Sequence, residues 1–191
     1  MTLLIFGLLI FLGTHSVRIF ADDWRAARVQ AMGLNAWKGV YSLISLLGFV
    51  LIVVGFGESR GMPELWTPPF WTRHITALLV LPAFVLLVAA YVPGTHIKAA
   101  VGHPMVAGVK LWAFAHLLSD GRPAAVLLFG AFLAWAIVDY VSARRRDRVA
   151  GTRYPAGSWW RDVVAVAVGI VAYAWFAMWG HAWLIGVAPF G

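Results

Sequence analysis

Residues 39–57 read GVYSLISLLGFVLIVVGFG, a run of 19 residues without one charged side chain. The apolar core of a bilayer is about 30 Å thick and needs about 20 such residues in a helix. The run therefore predicts a transmembrane helix. Five further segments have similar length and composition: 2–21, 74–93, 103–119, 123–142 and 163–187. We therefore expect an all-α, polytopic membrane helical bundle of about six transmembrane helices. The bundle should form one integral membrane domain over residues 1–191.

The composition of the chain agrees with a membrane protein. Of its 191 residues, 62% are hydrophobic and 12% are charged, whereas about a quarter of a soluble domain is charged. The absence of cysteine excludes disulfides, thiolate chemistry and cysteine-ligated iron–sulfur clusters. The 11 tryptophans and 5 tyrosines suit two membrane–water interfaces.

The distribution of positive charge predicts an orientation. Cytoplasmic loops of membrane proteins are enriched in lysine and arginine. The loops after spans one, three and five hold most of these residues, and the other loops and the termini hold only Arg60, Arg73 and Arg122. We therefore expect both termini outside and no nucleic-acid partner, despite the net charge of +7. The basic cluster Arg144–Arg148 then acts as a topology anchor or contacts anionic membrane lipid.

Ionisable side chains inside spans are costly and by default indicate function. The chain has few of them, and histidines are the commonest, which favours imidazole chemistry over a relay of acids. The set is His15, Arg18, Lys110, His116, Asp139 and His181.

Two of these charges lie at similar predicted depth, near the cytoplasmic ends of spans one and five. We expect Arg18 to be buried and to form a structural ion pair with Asp139, because either charge alone would be expensive in the bilayer. Lys110 is a competing partner for Asp139, and the sequence does not decide between the two cations.

His116 is the candidate ligand on span four. It lies about 220° around the helix from His103, so these two imidazoles do not bind one ion. His116 shares a face with Trp112 instead. An imidazole among large apolar residues suits an axial haem ligand, and equally a buried histidine bonded to backbone.

Four stretches resemble one family of bacterial membrane proteins, NnrU. They are GTHSVR at 13–18, LPAF at 81–84, HPMVAGVKLWAFAHLL at 103–118 and WGHAWLIGV at 179–187. The resemblance covers essentially the whole chain and places the protein in the bacterial inner membrane. NnrU proteins are associated with denitrification, through expression or activity of nitric oxide reductase. The family is also related to 15-cis-zeta-carotene isomerase, a haem b membrane enzyme.

This resemblance implies a haem b cofactor whose iron is held by His15 and His116. A lipophilic polyene or a nitric oxide reductase system is the implied partner, besides membrane lipid. The predicted depths disagree with this pairing: at 1.5 Å per residue, His15 lies about 9 Å from the inner end of its span and His116 about 6 Å from the outer end of its own. His181 is the alternative partner for His116, because it also lies in the outer half.

Two other functions stay open at this point. If the histidines are only polar groups of the helix packing, the protein is a metal-free membrane accessory or assembly factor. If the polar side chains line a transport path across the membrane, it is a small transporter. The lack of a paired repeat and the scarcity of intramembrane acids count against transport. Whether the chain is an enzyme is open; if it is one, we expect haem-dependent cis/trans isomerisation of a polyene.

Overall fold

A computed structural model describes residues 1–190, and within them it contains helices and no strand. This confirms the predicted all-α class. The elements are α1 (Thr2–Phe20), α2 (Asp22–Met32), α3 (Leu34–Glu58), α4 (Thr72–Tyr91), α5 (His96–Val101), α6 (Pro104–Ser119), α7 (Pro123–Ala150), α8 (Trp160–Trp175), a π-helical segment (Phe176–Gly180) and α9 (His181–Ile185).

Five helices of residues 1–190 are long and apolar enough to cross a membrane. They are α1, α3, α4, α7 and the continuous helix Trp160–Ile185, which combines α8, the π-helical segment and α9. The predicted fourth span is α6, whose 16 residues reach only about 24 Å at 1.5 Å per residue. The prediction of about six membrane helices is therefore consistent with five full-length candidates and one shorter helix.

The chain divides into two compact units, Met1–Pro63 and Glu64–Gly191. The single membrane domain expected from the sequence stays a prediction.

The first unit is a hairpin of two apolar helices. Helices α1 and α3 run antiparallel, and their backbones approach closely because three glycines occupy the contact line: Gly7, Gly48 and Gly55. A Cβ atom on Gly48 would lie 2.8 Å from the backbone nitrogen of Phe11. Small residues at such positions stabilise membrane helix pairs by dispersion contacts. Helix α2 connects the pair and buries none of its residues.

The second unit is a layer of four helices in the order α8, α4, α6 and α7. Gly169 of α8 lies against Val85 of α4, and Gly108 of α6 lies against the Ala83 carbonyl. Helix α7 packs on the other side of α6. Its Tyr140 hydroxyl donates a hydrogen bond to the carbonyl of Val101, the last residue of α5, at 2.7 Å.

The second unit has two chemically different ends. Hydrogen bonds join residues 92–103 to residues 144–162 at one end. We call this the basic end, because it holds Lys98, Arg144, Arg145, Arg146, Arg148, Arg153 and Arg161. At the opposite end Thr76 of α4 donates a hydrogen bond to the Ala115 carbonyl of α6 at 2.8 Å, and the basic residues there are Arg73 and Arg122.

Candidate functional site

His116 lies in the last turn of α6 and is held by its own helix. Its Nδ1 lies 2.8 Å from the Trp112 carbonyl oxygen, one turn earlier. The imidazole stacks on the Phe129 ring of α7, with centroids 4.6 Å apart and planes at 23°. The Trp112 ring lies at 5.4 Å. The prediction that His116 and Trp112 share a face is confirmed, and α7 adds a second aromatic wall.

His181 follows directly after the π-helical segment. A π-helix inserts an extra residue into a turn and so rotates the side chains that follow it. The His181 Nδ1 lies 2.6 Å from the Val187 carbonyl oxygen. Gly186, with φ 73° and ψ 21°, adopts the left-handed conformation that turns the chain back toward the ring. His181 and His116 belong to the same compact unit.

His15 has the same local arrangement in the first unit. Its Nδ1 lies 2.7 Å from the Phe11 carbonyl oxygen. The imidazole stacks on the Phe11 ring at 4.1 Å, and the Tyr41 ring meets it edge-on at 5.2 Å. Because His15 and His116 belong to different units, their pairing through one iron stays a prediction.

The three candidate histidines share one feature that bears on a metal. A carbonyl oxygen carries no proton, so in each case Nδ1–H must be the donor. A neutral ring then has its lone pair on Nε2, the tautomer that an iron ligand requires. The residues fit haem by this criterion. His96 and His103 differ, because their nearest partners are the carboxylates of Asp162 and Asp147.

A family model described as NnrU protein matches residues 3–189. The chain belongs to the NnrU family. No curated protein and no solved structure matches it. Among residues 1–190 of this NnrU protein, no group of three or more histidine, aspartate or glutamate side chains is placed to hold a metal ion. An axial haem site needs only two histidines and a planar cavity, so it is a different kind of site.

The predicted ion pair of the NnrU protein crosses between the two units and stays a prediction. Arg18 lies in the last turn of α1. Asp139 lies in the second unit, where its Oδ1 is 3.9 Å from Arg146 Nη2. The competing cation Lys110 places its Nζ 4.7 Å from the centre of the Tyr140 ring.

His103, Asp147 and Tyr154 form a polar cluster at the basic end that the sequence did not predict. Asp147 Oδ2 lies 2.8 Å from His103 Nε2, and the Tyr154 hydroxyl donates to both carboxylate oxygens of Asp147 at 3.0 and 3.2 Å. The Asp147 side chain is only 13% exposed. The one available signal was that Asp147 is the single acid in the basic run Arg144–Arg148. This cluster joins the start of α6 to the end of α7.

The opposite end is closed by a short connection between α6 and α7. Arg122 Nε donates to Asp120 at 2.9 Å, and the Leu65 N–H donates to the Gly121 carbonyl at 2.9 Å. The hydrogen bond with Asp120 raises the pKa of Arg122 above its ordinary value. The connection begins at Asp120, whose backbone N–H donates to the His116 carbonyl at 3.1 Å, and it therefore fixes the end of the helix that carries His116.

Proposed function

We propose that this NnrU protein binds haem b in the membrane, with His116 as one axial ligand and His15 or His181 as the other. The observation that supports the proposal is the shared hydrogen bond from Nδ1 to a backbone carbonyl. In haem and metal proteins this second hydrogen bond fixes the tautomer and the plane of a ligating imidazole. The bonds are 2.6 to 2.8 Å long, which is short for an N–H donor.

His181 and His15 are supported by different arguments. His181 shares a compact unit with His116, and the π-helical segment before it is a feature frequent at functional sites. His15 is supported by the resemblance to the carotene isomerase and by its equivalent hydrogen bond to Phe11.

The chain itself supplies the environment of the site. A bound haem would supply a redox-active iron, and release of one of the two histidines would open a position for a small gas or a polyene double bond. Phe129 and Trp112 form an apolar wall beside His116 that excludes water. Such a site fits two roles implied by the family resemblance: supporting nitric oxide reductase in denitrification, or cis/trans isomerisation of a lipophilic polyene.

The orientation belongs to the same proposal. Seven lysines and arginines of the second unit lie at the basic end and two at the opposite end. By the positive-inside rule the basic end faces the cytoplasm of a bacterial inner membrane, and both termini face outward. Reporter fusions at Met1 and at Gly191 test this. Reporters that are active only in the cytoplasm should be silent at both positions, and an active one at either position would reject the orientation.

The absorption spectrum of the purified protein tests the haem proposal. After expression with ample haem, we expect the Soret and α/β bands of low-spin bis-histidine haem b. His116→Ala should abolish this spectrum. The matched control is His96→Ala, because His96 is exposed and bonded to Asp162, and this change should leave the spectrum intact.

The second ligand is identified by the same measurement. Of His15→Ala and His181→Ala, one should convert the low-spin spectrum to a high-spin one and the other should not. Retention of the helical far-UV spectrum in every variant separates ligand loss from unfolding. A wild-type protein that stays without haem would reject the proposal.

A metal-free accessory or assembly factor is the second candidate. It is favoured by the fact that each candidate imidazole is already bonded to its own helix or to the following turn. Those bonds alone satisfy one polar atom of a buried histidine. In that case His116→Ala should change the stability of the purified protein and leave its visible spectrum blank, as in the wild type.

A further inference from the structure

A cavity of about 360 Å³ opens at the basic end of the second unit. Its volume falls at the small end of ligand sites, which run from about 300 to 1,000 Å³. Two basic side chains and a tyrosine line it, and no acidic side chain does. The lining residues are Pro93, Gly94, Lys98, Tyr154, Pro155, Ala156, Gly157 and Arg161.

Both cations are held in place by backbone carbonyl groups. Arg161 Nη1 donates to the Pro93 carbonyl at 3.0 Å, and Lys98 Nζ donates to the Ala90 carbonyl at 3.3 Å. A guanidinium has five N–H donors and an ammonium has three. Each side chain therefore keeps further donors after its anchoring bond, and ordering these long side chains on binding costs less.

Two glycines make room for the arginine. A Cβ atom at Gly94 would collide with Arg161 Nη1, and Gly94 has φ +68°, a conformation that suits glycine. The Gly157 N–H donates to the Gly94 carbonyl at 2.8 Å. The turn after α4 and the loop before α8 are thereby joined around the cavity.

The neighbouring acids are engaged elsewhere. Asp162 bonds His96 and the Ile97 N–H, and Asp147 bonds the His103 side chain. Within residues 1–190, neither Lys98 nor Arg161 forms an ion pair with a carboxylate. The cavity is therefore a site of net positive charge.

The tryptophans beside the cavity indicate its depth. Trp159 and Trp160 are 72% and 53% exposed, and the Arg161 guanidinium lies 5.8 Å from the Trp160 ring. Exposed tryptophans at the end of an apolar helix are typical of the headgroup layer of a membrane. A ligand at that depth meets phosphate groups first.

We propose that Lys98 and Arg161 bind a phosphate group in this cavity, as the headgroup of an anionic phospholipid. Arginine binds phosphate oxygens through paired N–H donors, and lysine adds a point charge. The site is distinct from the Arg144–Arg148 cluster, none of whose members lines the cavity.

Native mass spectrometry of the full chain in neutral detergent, titrated with dioleoylphosphatidylglycerol, tests the proposal. Lys98→Gln and Arg161→Gln should each weaken binding of the first lipid about tenfold, the magnitude expected for loss of one charge-assisted hydrogen bond. Arg153→Gln is the matched control, because it removes one exposed charge at the same end, outside both the cavity and the Arg144–Arg148 cluster. This control should bind as the wild type does.

A second titration separates the two sources of phosphate. Inorganic phosphate at the concentration of the lipid should leave the lipid bound if the headgroup is the ligand. Displacement by inorganic phosphate, weakened by the same two variants, would support a phosphate site that takes a soluble ligand. Equal lipid binding by the wild type and the folded Lys98→Gln protein would overturn the proposal. This variant decides the outcome if Arg161→Gln does not fold, since Arg161 also joins two loops.

Discussion

Replacing Gly7 by alanine should force the helices of the first unit apart. The added Cβ would lie 2.6 Å from the Ile52 backbone nitrogen and 2.9 Å from the Gly48 carbonyl oxygen. Both neighbours are backbone atoms of α3, which cannot move aside as a flexible side chain can. To reach an ordinary contact of 3.4 Å, α1 and α3 must separate by about 0.8 Å, a gap that forfeits a quarter to a half of each dispersion contact.

The same helix offers a matched control. A Cβ atom at Gly13 has no atom within 4 Å, so Gly13→Ala adds only the helix propensity of alanine, about 1 kcal/mol. Gly7→Ala adds this propensity too, but it also overpacks the contact line at a cost of about 1–3 kcal/mol. The difference between the two variants should therefore be about 2 kcal/mol, with Gly7→Ala the less stable.

The assay is unfolding in mixed micelles of dodecyl maltoside and sodium dodecyl sulfate, followed by far-UV circular dichroism. The slope of the transition should be the same in both variants, so that the midpoints compare free energies of unfolding. Equal midpoints for Gly7→Ala and Gly13→Ala would refute the close approach of α1 and α3.

Three further substitutions test the second unit by the same unfolding assay. Tyr140→Phe removes the hydroxyl that joins α7 to the last residue of α5 and should lower the free energy of unfolding by about 1 kcal/mol, whereas Tyr91→Phe, 76% exposed, should leave it unchanged. Thr76→Val removes the hydrogen bond between α4 and α6 and should cost about 0.6 kcal/mol; no change would show that this bond contributes nothing. Asp147→Asn weakens the acceptor of His103 and Tyr154 and should cost about 2 kcal/mol, with exposed Asp23→Asn as control; equal effects would contradict the cluster.

The features predictable from the sequence are those set by local spacing. Long, mostly apolar runs predicted the candidate membrane spans, because only helices satisfy the backbone inside lipid, whereas the short helices α2 and α5 were not predicted. The face shared by His116 and Trp112 followed from a separation of four residues, and the structure places the hydrogen bond there. Positive charges outside the spans predicted a basic end, and within the second unit these charges gather at one end.

The features that could not be predicted depend on packing between distant segments. His103 and Asp147 are 44 residues apart, and their contact exists only because α6 and α7 pack with these ends adjacent. Arg18 lies in the last turn of α1, and its pairing with Asp139, which belongs to the second unit, stays a prediction.

The π-helical segment Phe176–Gly180, which directly precedes the candidate ligand His181, was also not predictable from the sequence. In a regular helix, the Phe176–Ile185 segment would continue the spacing of α8, and the sequence gives no sign of the extra residue in the turn. The inserted turn rotates His181 relative to α8, and the left-handed Gly186 returns the Val187 carbonyl to its Nδ1. Two backbone irregularities on either side thus fix one imidazole. The direction of this imidazole is therefore set by the backbone on both sides of it, which the regular spacing of a helix does not predict.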